Sequence, residues 1–226
     1  MAPFTDRRDA GRKLGRELHR RGETAEAVVL GLPRGGVPVA AEVAAVLGAR
    51  LDVFLVRKLG VPGQEELAFG AIASGGLRTL NHDVVQALGI PERVIDAVAA
   101  REQRELERRE SAYRDGRPPA AVDGETEIVV DDGLATGASM RVALAALRRL
   151  GPKRLIAAVP IAPADTCSAM LEIADEVVCA ETPQPFYGVG QWYADFSQVS
   201  DDEVRAALER SGQRARAPRR DEHAHR

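Results

Sequence analysis

Reactive side chains are scarce in this sequence. Two cysteines and four histidines are all that its 226 residues offer for thiolate or imidazole chemistry. Cys167 and Cys179 fit no metal or redox spacing, so two buried thiols are expected. His223 and His225 stand near the end, His19 in an amphipathic stretch and His82 where a helix should start. They assemble neither a Ser-His-Asp set nor a metal-binding histidine cluster. No apolar run approaches the ~20 residues that span a bilayer. The opening stretch from Met1 to Arg8 has no apolar run behind its charges, so no secretory signal is expected. Charge excess is missing too: 31 Lys and Arg against 34 Asp and Glu give a net charge of -3, with no basic surplus for a nucleic-acid partner. A P-loop, G-x-x-x-x-G-K-[ST], is not present, and Gly31 with Gly35-Gly36 does not complete G-x-G-x-x-G. Both nucleotide-cofactor readings fall. A cytoplasmic protein that acts on small molecules, with no membrane and no nucleic acid, is the expectation.

What is present reads as an ordinary globular chain, 45% apolar and 29% charged. One domain is expected over residues 1–210, followed by an Arg-rich, disordered tail at 211–226. A surface helix over Asp6 to Arg21 precedes a β-type run at Ala27–Leu30, a buried helix over Val37–Leu47 and a second strand over Leu51–Val56. Two strands joined by a helix in so short a stretch form a parallel βαβ unit. Arg57 to Leu67 is polar, carries Gly60, Pro62 and Gly63, and reads as a mobile loop. Ala68–Ser74 and Leu77–Leu80 around Gly75-Gly76 read as a β-hairpin. Pro91 opens a long helix to about Arg114, whose Arg101–Glu110 stretch reads as a solvated face. Further αβ alternation comes next: Leu155–Ile161, a helix from Ala164 to Ala174, then Glu176–Cys179. Thr182 to Val199 is irregular and aromatic-rich, and Asp201 is expected to cap a last short helix. The fold class is α/β, an open, mostly parallel five-stranded sheet flanked by helices, with a hairpin and a small C-terminal cap.

The run Ile128-Val129-Val130-Asp131-Asp132-Gly133-Leu134-Ala135-Thr136-Gly137-Ala138-Ser139 carries the most chemistry. It reads as a buried strand ending in two adjacent carboxylates, a tight loop of small residues and a helix start. That puts acceptors for hydroxyls beside a helix N-terminus with free N–H groups for an anion. In open parallel sheets ligands bind at the carboxyl ends of the strands. The other such ends carry Pro33-Arg34-Gly35-Gly36 and Arg57-Lys58. A sugar carrying several phosphates fits this combination.

VVDDGLATGAS closely resembles the signature by which type I phosphoribosyltransferases hold phosphoribosyl pyrophosphate (PRPP). GLPRGGVPVA resembles the pyrophosphate loop of that family. VRKLG and the loop after it resemble its flexible catalytic loop, and PFYGVGQWYADF resembles its hood. The resemblance spans about Ala27 to Asp201. It implies the type I phosphoribosyltransferase fold, with a hood at about 181–200. Asp131 and Asp132 would accept hydrogen bonds from the ribose hydroxyls, bonds that tighten as positive charge develops on the sugar. Ala135, Thr136, Gly137, Ala138 and Ser139 would hold the 5-phosphate. Arg34, Gly35 and Gly36 would hold pyrophosphate, with Mg²⁺ as cofactor, bridging substrate oxygens near the acid pair. Arg57 and Lys58 would neutralise the leaving group on loop closure. Phe186, Trp192 and Asp195 would face the acceptor, the two aromatic rings either stacking on it or fastening the hood to the core. Ala135 stands where the hypoxanthine and guanine enzymes carry an Asp, so this loop brings no side-chain base. The implied reaction is transfer of 5-phosphoribosyl from PRPP to a nitrogen acceptor by a homodimer. The alternative is a PRPP- or nucleotide-binding regulator without catalysis.

Overall fold

The computed structural model describes residues 3–118, 120 and 124–216. Along the chain run α1 (Arg7–Arg20), β1 (Val28–Gly31), α2 (Gly36–Leu47), β2 (Arg50–Val53), β3 (Val56–Val61), β4 (Gln64–Ala73), β5 (Leu77–Leu80) and α3 (His82–Ala87). Then come α4 (Glu92–Arg114), β6 (Thr126–Val130), α5 (Ala138–Arg148), β7 (Arg154–Ile161), α6 (Ala164–Ala169), β8 (Glu176–Glu181) and α7 (Asp201–Arg216). Five strands form a parallel sheet in the order β2-β1-β6-β7-β8, and β3, β4 and β5 form a separate antiparallel sheet.

The central strands are apolar on both faces because helices cover both. On one face Leu30, Val129, Ala157 and Val159 pack on Met140, Ala143, Leu144 and Leu147 of α5. On the other, Val29, Ile128, Val130 and Ile156 meet Leu14 and Leu18 of α1 and Val39, Val43 and Leu47 of α2. The antiparallel sheet has its own core, where Leu59, Phe69 and Ile72 pack with Ile95, Val98 and Leu106 of α4 and Val204 and Leu208 of α7. Arg114 of α4 is buried and reaches Asp52 at 3.1 Å and the Val53 carbonyl at 3.0 Å, which fastens α4 to the end of β2.

Several sequence expectations are corrected. The second strand ends at Val53 instead of Val56, because the Leu55 N–H donates to Ser74 Oγ and the chain leaves for the other sheet. Arg57 to Leu67 is a β-hairpin and not an open loop. Its register pairs Arg57 with Ile72, Lys58 with Ala71 and Leu59 with Gly70, and burial of Leu59 holds it down. Gly60 sits at an irregularity of that ladder and Gly63, at φ 81°, turns the chain. The hairpin around Gly75-Gly76 is present as β4 and β5. α6 stops at Ala169 and tightens into a 3-10 turn over Met170–Glu172. The last helix is capped by Ser200, whose Oγ accepts from Glu203 N at 3.2 Å while Glu203 Oε2 accepts from Ser200 N at 2.8 Å, a reciprocal capping box one residue before Asp201. α7 continues to Arg216, past the expected end near Ser211, and residues 217–226 lie outside the described residues. Cys167 and Cys179 are not free thiols: they form a disulfide between α6 and β8, with Cα atoms 6.6 Å apart.

Glu127 is fully buried on β6, and neither carboxylate oxygen has a hydrogen-bond partner among the described residues. Burial pushes its carboxyl up to about 8, against an opposing pull from Arg148. The unfolded chain releases this proton near 4.5, so Glu127's contribution to stability is complete below that pH and is lost as pH rises to about 8. At roughly 1.4 kcal/mol per pH unit, the loss by neutral pH is about 3 kcal/mol. Glu127→Gln should flatten this dependence. Urea midpoints at about pH 5 and about pH 7.5 would then lie much closer together than in the unmodified chain, and an unchanged gap would place the pH dependence elsewhere.

Candidate active site

β1 and β6 are neighbours in parallel register, Gly31 opposite Val130, so the loops after them emerge side by side. The Leu32 N–H donates to the Val130 carbonyl at 2.9 Å and draws the Pro33–Gly36 loop over the end of β6. Glycine is required there. A Cβ at Gly35 would land on the Asp132 carboxylate, and one at Gly36 would come within 2.6 Å of the Val130 carbonyl. The Pro33–Arg34 peptide is cis. Two of the three predicted groups, the Arg34-Gly35-Gly36 loop and the acid pair, are thus in direct contact.

The third group is built by the turn after the acids. Gly137, at φ 70°, stands in the left-handed region that glycine adopts without strain and begins α5. Ala135, Thr136, Ala138 and Ser139 are exposed around it. The Ala138 N–H donates to Thr136 Oγ1 at 3.4 Å, and the N–H groups of the first helical turn have no carbonyl of α5 to pair with. The arrangement offers an anion a helix N-terminus next to two carboxylates. α6 backs this loop: Thr166 Oγ1 donates to the Ala135 carbonyl at 3.1 Å, and a Cβ at Gly137 would come within 2.8 Å of Met170 Cε.

The carboxylates differ. Burial first, and then the charge of Asp132, push the Asp131 carboxyl well above the usual carboxylate range. Burial also raises Asp132, but the Arg7 guanidinium opposes it, with Arg7 Nε donating to Asp132 Oδ2 at 2.8 Å. Arg7 was not among the residues singled out from sequence. It lies on the first turn of a helix that reads as surface, and its partners are 125 and 190 residues away. Nη1 donates to the Ser197 carbonyl at 2.7 Å, and the guanidinium lies 3.9 Å from the centre of the Phe196 ring. Phe4 was missed as well, because its partners also lie far along the chain, whereas Tyr193 stands in the expected hood segment PFYGVGQWYADF. Phe4 exchanges backbone hydrogen bonds with Trp192 and Ala194, and the Tyr193 hydroxyl donates to the Asp132 carbonyl at 2.5 Å.

Of the remaining predicted residues, Arg57 is committed to Glu102 of α4 at 2.5 Å. Lys58 is exposed, with no ion pair among the described residues, and strand alternation puts it on the face of Val56, which packs against the apolar cluster of the central sheet and α5. Phe186 and Trp192 stack on each other, centroids 6.4 Å apart, against the cluster of Phe4, Ile161 and Tyr193. That is the fastening arrangement. Asp195 is exposed and accepts from the Ser197 N–H at 2.9 Å, which holds its carboxyl below the usual range.

The model of the phosphoribosyl transferase domain matches residues 5–191, and the chain belongs to that family. Over 211 residues, 93% of the chain, it is 50% identical to a Mycobacterium tuberculosis protein whose name gives it provisionally as a phosphoribosyl transferase. The chain spans about half the length of that relative, 47%. The crystal structure of TT1426 from Thermus thermophilus is 45% identical and superposes with a TM-score of 0.80, over 91% of this chain and 97% of that one.

Two predictions test the geometry. Gly35→Ala must displace Asp132 from Arg7; it is expected to reduce PRPP affinity at least tenfold in calorimetry and to lower thermal stability, because the acid pair loses the charge that offsets its burial. Unchanged affinity would separate Gly35 from the donor site. Reduction of Cys167–Cys179 should free α6 from β8 and loosen the loop that Thr166 and Met170 support. Amide exchange over residues 135–139 is expected to accelerate on reduction while the β6 amides stay protected, and equal exchange in both redox forms would refute the coupling.

Proposed function

We propose that this chain transfers the 5-phosphoribosyl group of PRPP to a nitrogen of a flat heterocyclic acceptor and releases pyrophosphate. The observation that carries the reading is the contact between the Gly35-Gly36 backbone and the Asp131-Asp132 pair, with the N-terminus of α5 opening beside them. A carboxylate pair with a close-packed glycine loop on one side and the open N-terminus of α5 on the other fits a donor whose ribose lies between two phosphate groups.

In this reading Asp131 and Asp132 accept from the ribose 2- and 3-hydroxyls. The N–H groups from Ala135 to Ser139 and the hydroxyls of Thr136 and Ser139 hold the 5-phosphate. The backbone of Arg34 to Gly36 faces the pyrophosphate. As the bond from the anomeric carbon to pyrophosphate breaks, positive charge grows on the sugar and the two carboxylates stabilise it. Among the described residues no group of three or more His, Cys, Asp or Glu side chains could hold a metal by itself, so Mg²⁺ would be held by one or two carboxylates of the acid pair together with substrate oxygens and would add positive charge against the leaving pyrophosphate. Lys58, exposed and without an ion pair among the described residues, is the better candidate for meeting the leaving group than Arg57, which Glu102 holds. Ala135 brings no side-chain base, and its carbonyl is already taken by Thr166, so the acceptor's proton leaves by another route.

The test is release of pyrophosphate from PRPP and Mg²⁺ across a panel of purines, pyrimidines and other amines. Turnover with at least one acceptor is expected, falling by a factor of about 100 or more in Asp131→Asn/Asp132→Asn, on the scale of losing a transition-state hydrogen bond. PRPP binding without turnover on any acceptor would favour the regulator, and PRPP binding unchanged in the double variant would refute the site.

A further inference from the structure

Arg7 occupies a position that helix energetics alone disfavours. It is the first residue of α1, where the helix dipole presents its positive end and a cation is unfavourable. Its side chain is nevertheless only 11% exposed, so much of its hydration is lost as well. Something must offset both costs, and the contacts say what. One edge of the guanidinium donates to Asp132, a terminal nitrogen donates to the Ser197 carbonyl, and one face covers Phe196. Gly35 lies against the same guanidinium, since a Cβ there would come within 3.3 Å of Arg7 Nε. The pyrophosphate-type loop, the acid pair and the hood therefore meet at a single side chain.

We propose that Arg7 is the positioning residue that couples the seating of the hood over the acceptor to the orientation of Asp132 in the donor site. This rests on the phosphoribosyl-transfer reading above. The planar guanidinium donates in two fixed directions at once, which a lysine ammonium does not reproduce. With Asp132 Oδ2 held by Arg7, the other carboxylate oxygen is turned to a defined direction for a ribose hydroxyl. Lifting the hood withdraws Ser197 and Phe196 and removes two of the contacts that aim the guanidinium. A second link makes the coupling stiff: the Tyr193 hydroxyl, also from the hood, holds the backbone carbonyl of the same Asp132. α1 is a firm base for it, since Asp6 caps the helix by accepting from Asp9 N at 2.7 Å, and the Thr5 carbonyl accepts from the Asp195 N–H of the hood. Arg7 touches no reacting atom. It acts through Asp132.

The test combines PRPP–Mg²⁺ calorimetry, kinetics and the fluorescence of Trp192, the single tryptophan of the chain, which lies in the hood. Arg7→Met is expected to weaken PRPP at least tenfold and to lower kcat as well as raise KM, and Arg7→Lys to recover only part. In an Asp132→Asn background the same Arg7→Met change should have little further effect, because the partner it orients is gone. A loss of the same size in both backgrounds would mean that Arg7 only supports the fold, and wild-type affinity in Arg7→Met would overturn the proposal outright. If the unmodified chain does not bind PRPP, the phosphoribosyl-transfer reading fails, and the coupling is then judged without donor. Acrylamide should quench Trp192 more strongly in Arg7→Met, and unchanged quenching would overturn the coupling.

Discussion

Two carboxylates side by side at the end of a strand buried on both faces cannot both ionise cheaply, since each loses hydration and each repels the other. Much of the surrounding structure offsets that cost. Arg7 brings a full positive charge to Asp132. Asp131 Oδ1 accepts from the Asp132 N–H at 2.9 Å, and the Asp131 carboxyl is pushed toward its protonated form. The Gly35-Gly36 turn comes close enough to touch both residues because no side chain stands between. The open N-terminus of α5 adds partial positive charge nearby. An arrangement so unfavourable for folding alone argues that the acid pair is kept for what it binds.

The way Asp132 is compensated sets the architecture around it. The compensating charge comes from the first turn of α1, so the segment before α1 must be held as well. Phe4 does this by pairing its backbone with the hood and packing its ring 5.4 Å from that of Tyr193. The hood is thus built from the segment before α1 and the segment after β8, and its anchor is the acid pair itself. A rearrangement of the hood must cross Arg7 or Tyr193, and both end on Asp132. The Ala135–Ser139 loop is supported differently, from behind, by an α6 that the disulfide ties to β8.

The sheet, its helices and the loops that meet at the acid pair were legible in the sequence because each depends on residues close together in the chain. The run from Ile128 to Ser139 encodes strand, turn and helix start in one stretch, and Pro33 to Gly36 does the same after β1. What escaped depends on distant partners. Arg57 to Leu67 has the composition of a loop, and only the pairing with β4 and the burial of Leu59 make it a hairpin. Cys167 and Cys179 are 12 residues apart, but it is the packing of α6 beside β8 that brings them together. Arg57 reads as a free cation until α4 is folded against it with Glu102. Arg7 looks like any other arginine of a charged helix until the chain returns with Phe196 and Ser197. Ser200 was the one local signal missed, since its capping box with Glu203 is written plainly in the sequence.

The same contrast explains why the loops at the acid pair are easier to read than the hood. The aromatic concentration near the C-terminus suggested a cover for a flat ring, yet most of those rings are already engaged. Phe186 and Trp192 stack on each other, Tyr193 lies between Phe4 and Phe196, and Phe196 is covered by Arg7. Tyr187 differs, with 84% of its surface exposed. A ring that binds an acceptor by stacking needs a face to offer, and one spent on packing has at most an edge or a single outer face left. In this hood the aromatic content therefore measures how firmly the cover is built, and Tyr187 is the aromatic residue that leaves most of its surface open.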